Sequence, residues 1–107
     1  MFLQIIEPMF PLGEFSATQA LLDALGEHAE EALQMAITRH SHCDWGELDE
    51  HDRQVNDNAL WFGSQLRQYG GRLLSAYDHE GRRGTVRFWI ITEADRSLTT
   101  ALLPRDY

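Results

Sequence analysis

The chain has 107 residues, 43% of them apolar, and a formal net charge of −8, which predicts one folded domain over residues 1–107 rather than a disordered segment. A single cysteine excludes an internal disulfide, and no apolar run approaches the roughly 18 residues needed to cross a bilayer. The opening "MFLQIIEPMF" lacks the basic start of a signal peptide. We therefore expect a cytoplasmic protein.

The charge is unevenly distributed along the chain. Residues 1–60 carry twelve carboxylates against Arg39 and Arg53, a net of −10, whereas residues 61–107 carry seven arginines against five carboxylates, a net of +2. The first half therefore predicts a negative surface that repels nucleic acid and attracts basic proteins, including proteins that hold DNA.

Several short elements are expected in the first forty residues. "FLQII" predicts an edge strand that ends at Pro8, since proline cannot donate to a ladder. "EFSATQALLDALGEH" predicts a short strand followed by a helix, with either Ser16 or Thr18 as the N-cap and Gly26 as the C-cap. "HAEEALQMAITRH" predicts a second helix from its apolar stripe.

The remainder predicts one helix and then strands. Asp49 is a natural N-cap for a third helix, "DEHDRQVNDNALWF", and Gly63 marks its expected end; "SQLRQYGG" is compatible with a helical turn or a loop. The apolar period then changes to two, which predicts two strands around "DHEGRRG" and a third strand in "SLTTALL". We expect an α+β fold with two or three helices packed on a three- to four-stranded antiparallel sheet, its last strands a C-terminal meander.

The stretch "RHSHCDWGELDEHDRQ" concentrates residues that can bind metals or transfer protons. The potential ligands are His40, His42, Cys43, Asp44 and His51. Their spacing matches no recognised metal site, and adjacent side chains such as His51 and Asp52 cannot face each other on a helix. A Cys43–His40 nucleophile pair is conceivable, but nothing in the sequence indicates an activated thiolate. We therefore predict no catalytic residue, no cofactor and no metal ligand.

Two further features favour packing or partner recognition. Trp45, beside Gly46, is expected to cover the junction of the second and third helices and to donate its indole N–H to a backbone carbonyl. The "TEADRS" turn is compatible with an exposed charged tip, formed by Glu93, Asp95 and Arg96, or with a solvated turn held by a local Asp95–Arg96 network.

The third helix and the turn before it are rich in carboxylates. Glu50 and Asp57 are seven residues apart, so they lie near one stripe, whereas Asp52 belongs to the cap region. Like charges this close repel one another. A negative surface that keeps this repulsion either increases solubility or complements a basic groove on a partner. The predicted partner-binding residues are Asp44, Glu47, Asp49, Glu50, Asp57, Glu93, Asp95 and Arg96.

Four segments carry a resemblance to a known family. "FPLGEFSATQALLDAL", "RHSHCDWGELDEHDRQVNDNAL", "GRLLSAYD" and "WIITEADRSLTTALLPRDY" resemble the pattern "RHxxGDWG … RxLSAY … WIITEADRSxTTxLLPxxY" of small, functionally uncharacterised proteins carried on bacterial plasmids and integrative elements. Residues 1–9 extend beyond the pattern, Cys43 replaces a glycine, and about eight residues within "WFGSQLRQYGG" look inserted. The resemblance implies a mobile-element accessory protein and transfers no catalytic residue.

Together these features predict a binding protein rather than an enzyme. We expect a small acidic accessory protein that binds a protein partner with a basic, nucleic-acid-binding surface and inhibits a host defence, as an anti-CRISPR or anti-restriction protein would, by DNA mimicry or groove blocking. The alternative is a metal-assisted hydrolase or nuclease using His40, His42, Asp44 and His51. A third possibility is a regulatory or assembly subunit. The oligomeric state stays open.

Overall fold

A computed structural model describes the backbone of residues 2–66 and 71–107 and the side chains of residues 2–60 and 71–107. The elements in chain order are β1 (Glu14–Ala17), α1 (Gln19–Leu25), a 3₁₀ turn (Gly26–His28), α2 (Ala29–Ser41), α3 (Glu50–Leu66), β2 (Leu73–Gly81), β3 (Gly84–Thr92), β4 (Leu98–Leu102) and a 3₁₀ turn (Pro104–Asp106). The α+β class predicted from the sequence is confirmed. None of the described helices combines the length and the apolar character that crossing a bilayer requires.

The four strands form one mixed sheet in the order β1-β4-β3-β2. The antiparallel meander β2–β3–β4 is confirmed, but β1 pairs with β4 in parallel, from Glu14 opposite Leu98 to Ala17 opposite Ala101. The prediction of a wholly antiparallel sheet was therefore wrong. The alternation of side chains along a strand determines its two faces but carries no information about the direction of its neighbour.

The helix boundaries follow local capping chemistry. Thr18, rather than Ser16, caps α1, because its hydroxyl accepts the N–H of Leu21 at 3.3 Å. Gly26 ends that helix with φ at +62°, as predicted. α3 continues past Gly63 to Leu66, so its predicted end was wrong. The segment expected to be a helical turn or a loop, residues 64–71, lies partly outside the described residues.

The strand expected in "FLQII" does not form among the described residues. The backbone of residues 2–9, which includes "FLQII", has no ladder partner and instead runs beside α2, where the N–H of Gln4 donates to Oε1 of Gln34 at 2.8 Å. The backbone of this apolar segment is bonded to a helix side chain, that of Gln34, rather than to a neighbouring strand. A short apolar run does not by itself specify that choice.

The core lies between the sheet and the first two helices. α1 contacts β3 and β4, α2 contacts β2 and β3, and α3 contacts β2. The fully buried large apolar side chains are Leu21, Leu33, Ile37, Leu73, Phe88 and Ile90. Each contributes roughly 1.5–3 kcal/mol through removal from water. On the strands, Leu73, Tyr77 and Leu102 are also buried, and Val86 and Trp89 are half-buried.

The outer edge of β2 is covered by the chain that precedes and begins α3. The backbone carbonyl of Trp45 accepts the N–H of Ala76 at 3.2 Å, and the N–H of Glu47 donates back to the carbonyl of Ala76 at 2.7 Å. Further along α3, the Asn56 carboxamide bonds both backbone groups of Leu74, at 2.6 and 3.1 Å. These contacts satisfy a strand edge that would otherwise be open to pairing.

Candidate functional site

The turn between α2 and α3 is held by an Arg39–Asp44 ion pair. The guanidinium donates to both carboxylate oxygens, at 2.7 and 3.1 Å, and lies 4.8 Å from the centre of the Tyr77 ring. This hydrogen bonding lowers the pKa of Asp44 and raises the pKa of Arg39. The Tyr77 hydroxyl donates to the backbone carbonyl of Asp44 at 2.6 Å. Asp44 therefore shapes the turn, and its charge is already paired within the chain.

Trp45 and Gly46 dock this turn onto the sheet. Trp45 is buried, as predicted, but its indole N–H donates to the Asp57 carboxylate at 3.0 Å and not to a backbone carbonyl. The sequence assigned Asp57 to partner binding, which stays a prediction; in the structure its carboxylate links α3 to the turn. Gly46 has φ at +74°, and a Cβ there would overlap the carbonyl oxygen of Ala76. Only glycine fits this close approach.

Cys43 also adopts a left-handed conformation, with φ at +66°. Glycine is the residue that takes this conformation without a steric cost, and it is also the residue that the resembled pattern has at this position. Burial raises the pKa of the half-buried Cys43 thiol. A raised pKa disfavours the thiolate, so this environment is the opposite of the one that activates a nucleophilic cysteine.

The start of α3 presents carboxylates that are exposed to solvent. Asp49 caps the helix as predicted, since its Oδ1 accepts the N–H of Asp52 at 2.8 Å. Glu47, Glu50 and Asp52 surround that cap and are exposed. We call these three residues the acidic patch. None of the side chains described in the structure forms an ion pair with the acidic patch, and the nearby Arg53 guanidinium donates to the carbonyl of Gly46 at 2.9 Å.

The turn between β3 and β4 differs from its expected form. Arg96 is only 4% exposed, and its Nη1 donates to the carbonyls of Gly71 and Glu93 at 2.6 and 3.1 Å. The expectation that Arg96 lies at an exposed tip was therefore wrong. Asp95 accepts the backbone N–H and the hydroxyl of Ser97, at 3.0 and 2.5 Å, and these bonds lower the pKa of Asp95. Glu93 and Asp95 are exposed at this turn, and Arg96 supports it from inside.

A buried polar chain crosses the core between α2 and three strands. Nδ1 of His40 is 2.5 Å from the Ser75 hydroxyl, and its Nε2 is 2.9 Å from the Thr92 hydroxyl. Thr92 contacts Thr99 at 2.7 Å, and the Thr99 hydroxyl donates to the carbonyl of Leu12 at 2.6 Å. All four side chains are fully buried, with 0% exposure. We call this set of four side chains the buried relay.

The tautomer of His40 follows from proton counting along the buried relay. Because Thr99 gives its one hydroxyl proton to Leu12, the proton between the two threonines belongs to Thr92. Thr92 must then accept from Nε2–H of His40, and Ser75 must donate to Nδ1. Burial, reinforced by the charge of Arg96, lowers the pKa of His40 to about 3. His40 is therefore a neutral structural residue at physiological pH.

Three of the four side chains proposed as ligands in the metal-assisted alternative, those of His40, His42 and Asp44, are engaged elsewhere, and the fourth, His51, is exposed on α3. Both ring nitrogens of His40 are used in the buried relay, and Nε2 of His42 donates to the carbonyl of Ile6 at 2.9 Å. Asp44 is paired with Arg39. Among the residues that the structure describes, no three His, Cys, Asp or Glu side chains come together in a metal-binding geometry. The candidate ligands of this alternative are close in sequence but form no metal-binding group among the described residues.

The buried relay was not predicted from the sequence, although a signal for it exists. Ser75, Thr92 and Thr99 each occupy an inward position of a strand that otherwise presents apolar side chains, and Thr92 lies directly opposite Thr99. A hydroxyl at such a position indicates a buried partner, because an unpaired buried polar group is costly. The identity of the partner, a histidine on a helix, requires the tertiary structure.

The chain matches no protein-family model, no curated protein and no solved structure.

Proposed function

We propose that this protein is a small acidic binding protein whose acidic patch engages a basic surface on another protein. The observation that carries the proposal is the difference between the patch and its surroundings. Asp44, Asp49 and Asp57 are committed to an ion pair, a helix cap and an indole N–H, whereas Glu47, Glu50 and Asp52 have no such role among the described contacts. These six residues are the carboxylates of α3 and of the turn between α2 and α3.

The backbone that carries the acidic patch is rigid, which favours recognition of a partner. The backbone of Glu47 is bonded to β2, and Glu50 and Asp52 occupy the first turn of a capped helix. A charged surface on a rigid support loses little conformational freedom on binding, so more of its electrostatic attraction appears as affinity. Such a surface increases the rate of association with a basic partner and makes that rate sensitive to salt.

A hydrolytic function has less support from the geometry. His40 is buried and neutral, and burial raises the pKa of Cys43. The histidine and the carboxylate closest to these residues in sequence, His42 and Asp44, hold the backbone and Arg39, respectively. General acid–base chemistry needs a titratable group within hydrogen-bonding reach of a substrate. The buried relay offers no such access, so we favour binding over catalysis.

The biological setting that we propose is a mobile genetic element. The residues of the resemblance support this setting, and the acidic patch supports a partner that otherwise holds nucleic acid. A protein of this kind acts as a host-defence inhibitor, in the manner of an anti-CRISPR or anti-restriction protein, by occupying a positively charged groove. The partner would then no longer bind the phosphates of its nucleic acid.

Differential capture tests the proposal. The patch variant carries Glu47→Gln, Glu50→Gln and Asp52→Asn, and the matched control carries Glu14→Gln, Glu80→Gln and Asp106→Asn, which removes the same charge from exposed positions elsewhere. Each protein is immobilised and exposed to nuclease-treated extract of a bacterial host, and the retained proteins are quantified by mass spectrometry. We expect a nucleic-acid-binding protein that is retained by the wild type and the control but lost from the patch variant.

A functional assay follows capture. The purified partner is bound to a labelled oligonucleotide, and the wild-type protein is expected to displace that oligonucleotide, whereas the patch variant is not. Equal retention of every partner by all three proteins would contradict the proposal. Thermal unfolding of both variants is measured first, because Glu50 and Asp52 each stabilise the helix terminus by about 0.3–1 kcal/mol.

A further inference from the structure

Residues 2–9, which we call the strap, follow the surface of α2. The Gln34 side chain accepts the N–H of Gln4 at 2.8 Å and donates to its carbonyl at 2.9 Å, so one side chain holds both backbone groups of this residue. The N–H of Phe2 is 3.4 Å from Oε1 of Glu30. The first half of the strap is therefore fixed to the exposed side of the helix.

The second half of the strap is fixed at the end of α2. The N–H of Met9 donates to the carbonyl of Ser41 at 2.8 Å, and Nε2 of His42 donates to the carbonyl of Ile6 at 2.9 Å. Between these bonds Glu7 has φ at +46°, an uncommon conformation for a residue that precedes proline. The surrounding hydrogen bonds maintain this conformation, so the strap has a defined path along the helix.

Half of the residues of the strap are exposed apolar side chains. Phe2, Ile6 and Met9 are 88%, 66% and 70% exposed, and Ile5 is also exposed. Leu3 faces inward against the core. Single exposed apolar residues are ordinary on protein surfaces. Four among eight consecutive residues, on a backbone held by the helix, form a concentrated apolar surface of the kind that marks an interaction site.

The charges around the strap determine what this surface can bind. Beside Phe2 lies an open hollow of about 380 Å³, and its lining residues are Phe2, Glu27, Glu30, Glu31 and Gln34. Glu7 adds a further exposed carboxylate on the strap itself. An aromatic ring beside carboxylates complements a lysine or arginine side chain. A second copy of the chain, or an anionic membrane, would bring like charges together at this surface.

We propose that the strap is a docking surface for an amphipathic segment of a partner protein, in which apolar side chains are flanked by lysine or arginine. The apolar side chains contact Ile6 and Met9, and a flanking cation enters the hollow beside Phe2. This inference goes beyond the proposed function, because it assigns a second surface that uses apolar burial and different carboxylates from those of the acidic patch. The two surfaces are tested with separate variants.

A designed peptide provides the probe. It is a fluorescent 14-residue peptide of leucine and lysine in amphipathic order, and its companion has glutamate in place of lysine. Binding is measured by fluorescence anisotropy, and the contact surface is mapped by backbone amide shifts. The strap variant carries Ile6→Ser and Met9→Ser; Val55→Ser is the control, because Val55 is 50% exposed on α3. Both variants change exposed side chains, and circular dichroism checks that they fold.

We expect the leucine–lysine peptide to bind the wild type, Val55→Ser and the acidic-patch variant with similar affinity, and the strap variant at least tenfold more weakly. Amide shifts are expected in residues 2–9 and the first turns of α2. A Glu30→Gln and Glu31→Gln variant is expected to bind more weakly at low salt only. Equal affinity for the strap variant overturns the proposal. So does equal binding of the glutamate peptide, strap-dependent dimerisation in sedimentation, or strap-dependent binding to phosphatidylglycerol vesicles.

Discussion

Replacing Thr92 with valine breaks the buried relay at its centre without leaving a cavity. Thr92 accepts Nε2–H of His40 and donates to Thr99, and valine has a similar shape but neither function. A buried donor without an acceptor costs about 1–3 kcal/mol, and Thr99 loses one donor but keeps its own bond to Leu12. We therefore expect Thr92→Val to lower the free energy of unfolding by about 2–3 kcal/mol.

Denaturant unfolding followed by circular dichroism measures this loss, which corresponds to a fall in Tm of about 10–20 °C for a domain of this size. Thr100→Val is the matched control, because Thr100 is a half-buried neighbour of Thr99 on β4 and has no side-chain hydrogen bond among the described residues. We expect this control to lie within about 0.5 kcal/mol of the wild type. A Thr92→Val protein as stable as Thr100→Val would refute the contribution of the buried relay to the stability of the fold.

Three further predictions concern the same core and its adjoining turn. The pKa of His40 is lowered to about 3, so between about pH 6.5 and pH 3 the unfolded chain binds a proton at this residue that the native protein does not. The free energy of unfolding should therefore fall by about 1.4 kcal/mol per pH unit as the pH falls through this range. The NMR signals of the His40 imidazole should stay unchanged from about pH 7 to about pH 4.5. Gly46→Ala should destabilise the protein by about 3 kcal/mol or more in urea melts, whereas Gly26→Ala, with open space around its Cβ, should cost about 1–2 kcal/mol. Trp45→Phe, which loses the bond to Asp57, should cost about 1–2 kcal/mol, against about 3–5 kcal/mol for Trp45→Ala. Equal Tm values for the two tryptophan variants would contradict the expected contribution of aromatic packing at this position.

The sequence predicts the features of this fold that depend on local pattern. The helix cap at Asp49 follows from a side chain and a backbone N–H three residues apart, and the meander follows from a change of period together with the Gly81–Gly84 turn. The parallel pairing of β1 was not predicted, because a four-residue strand has no sequence feature that identifies its partner.

The candidate site was predicted only in outline, because its residues look alike in sequence and differ in their tertiary contacts. Asp57 and Glu50 both belong to an acidic helix, but only Asp57 lies beside the Trp45 indole. Arg96 looked like a surface residue, since arginine is mostly exposed, and yet backbone carbonyls from Gly71 and Glu93 accept its protons inside the fold. The Trp45–Asp57 and Arg96–Gly71 contacts join residues 12 and 25 positions apart in sequence and have no local signature.

The most direct test of the central claim, that the acidic patch binds a basic protein surface, is the affinity for the captured partner measured against salt concentration. The wild type and the matched control should lose affinity steeply as salt rises, because their attraction is screened beyond a Debye length of about 8–10 Å. The variant with Glu47→Gln, Glu50→Gln and Asp52→Asn should bind weakly at low salt and should show a shallower salt dependence. Identical affinities for all three proteins at every salt concentration would contradict the account.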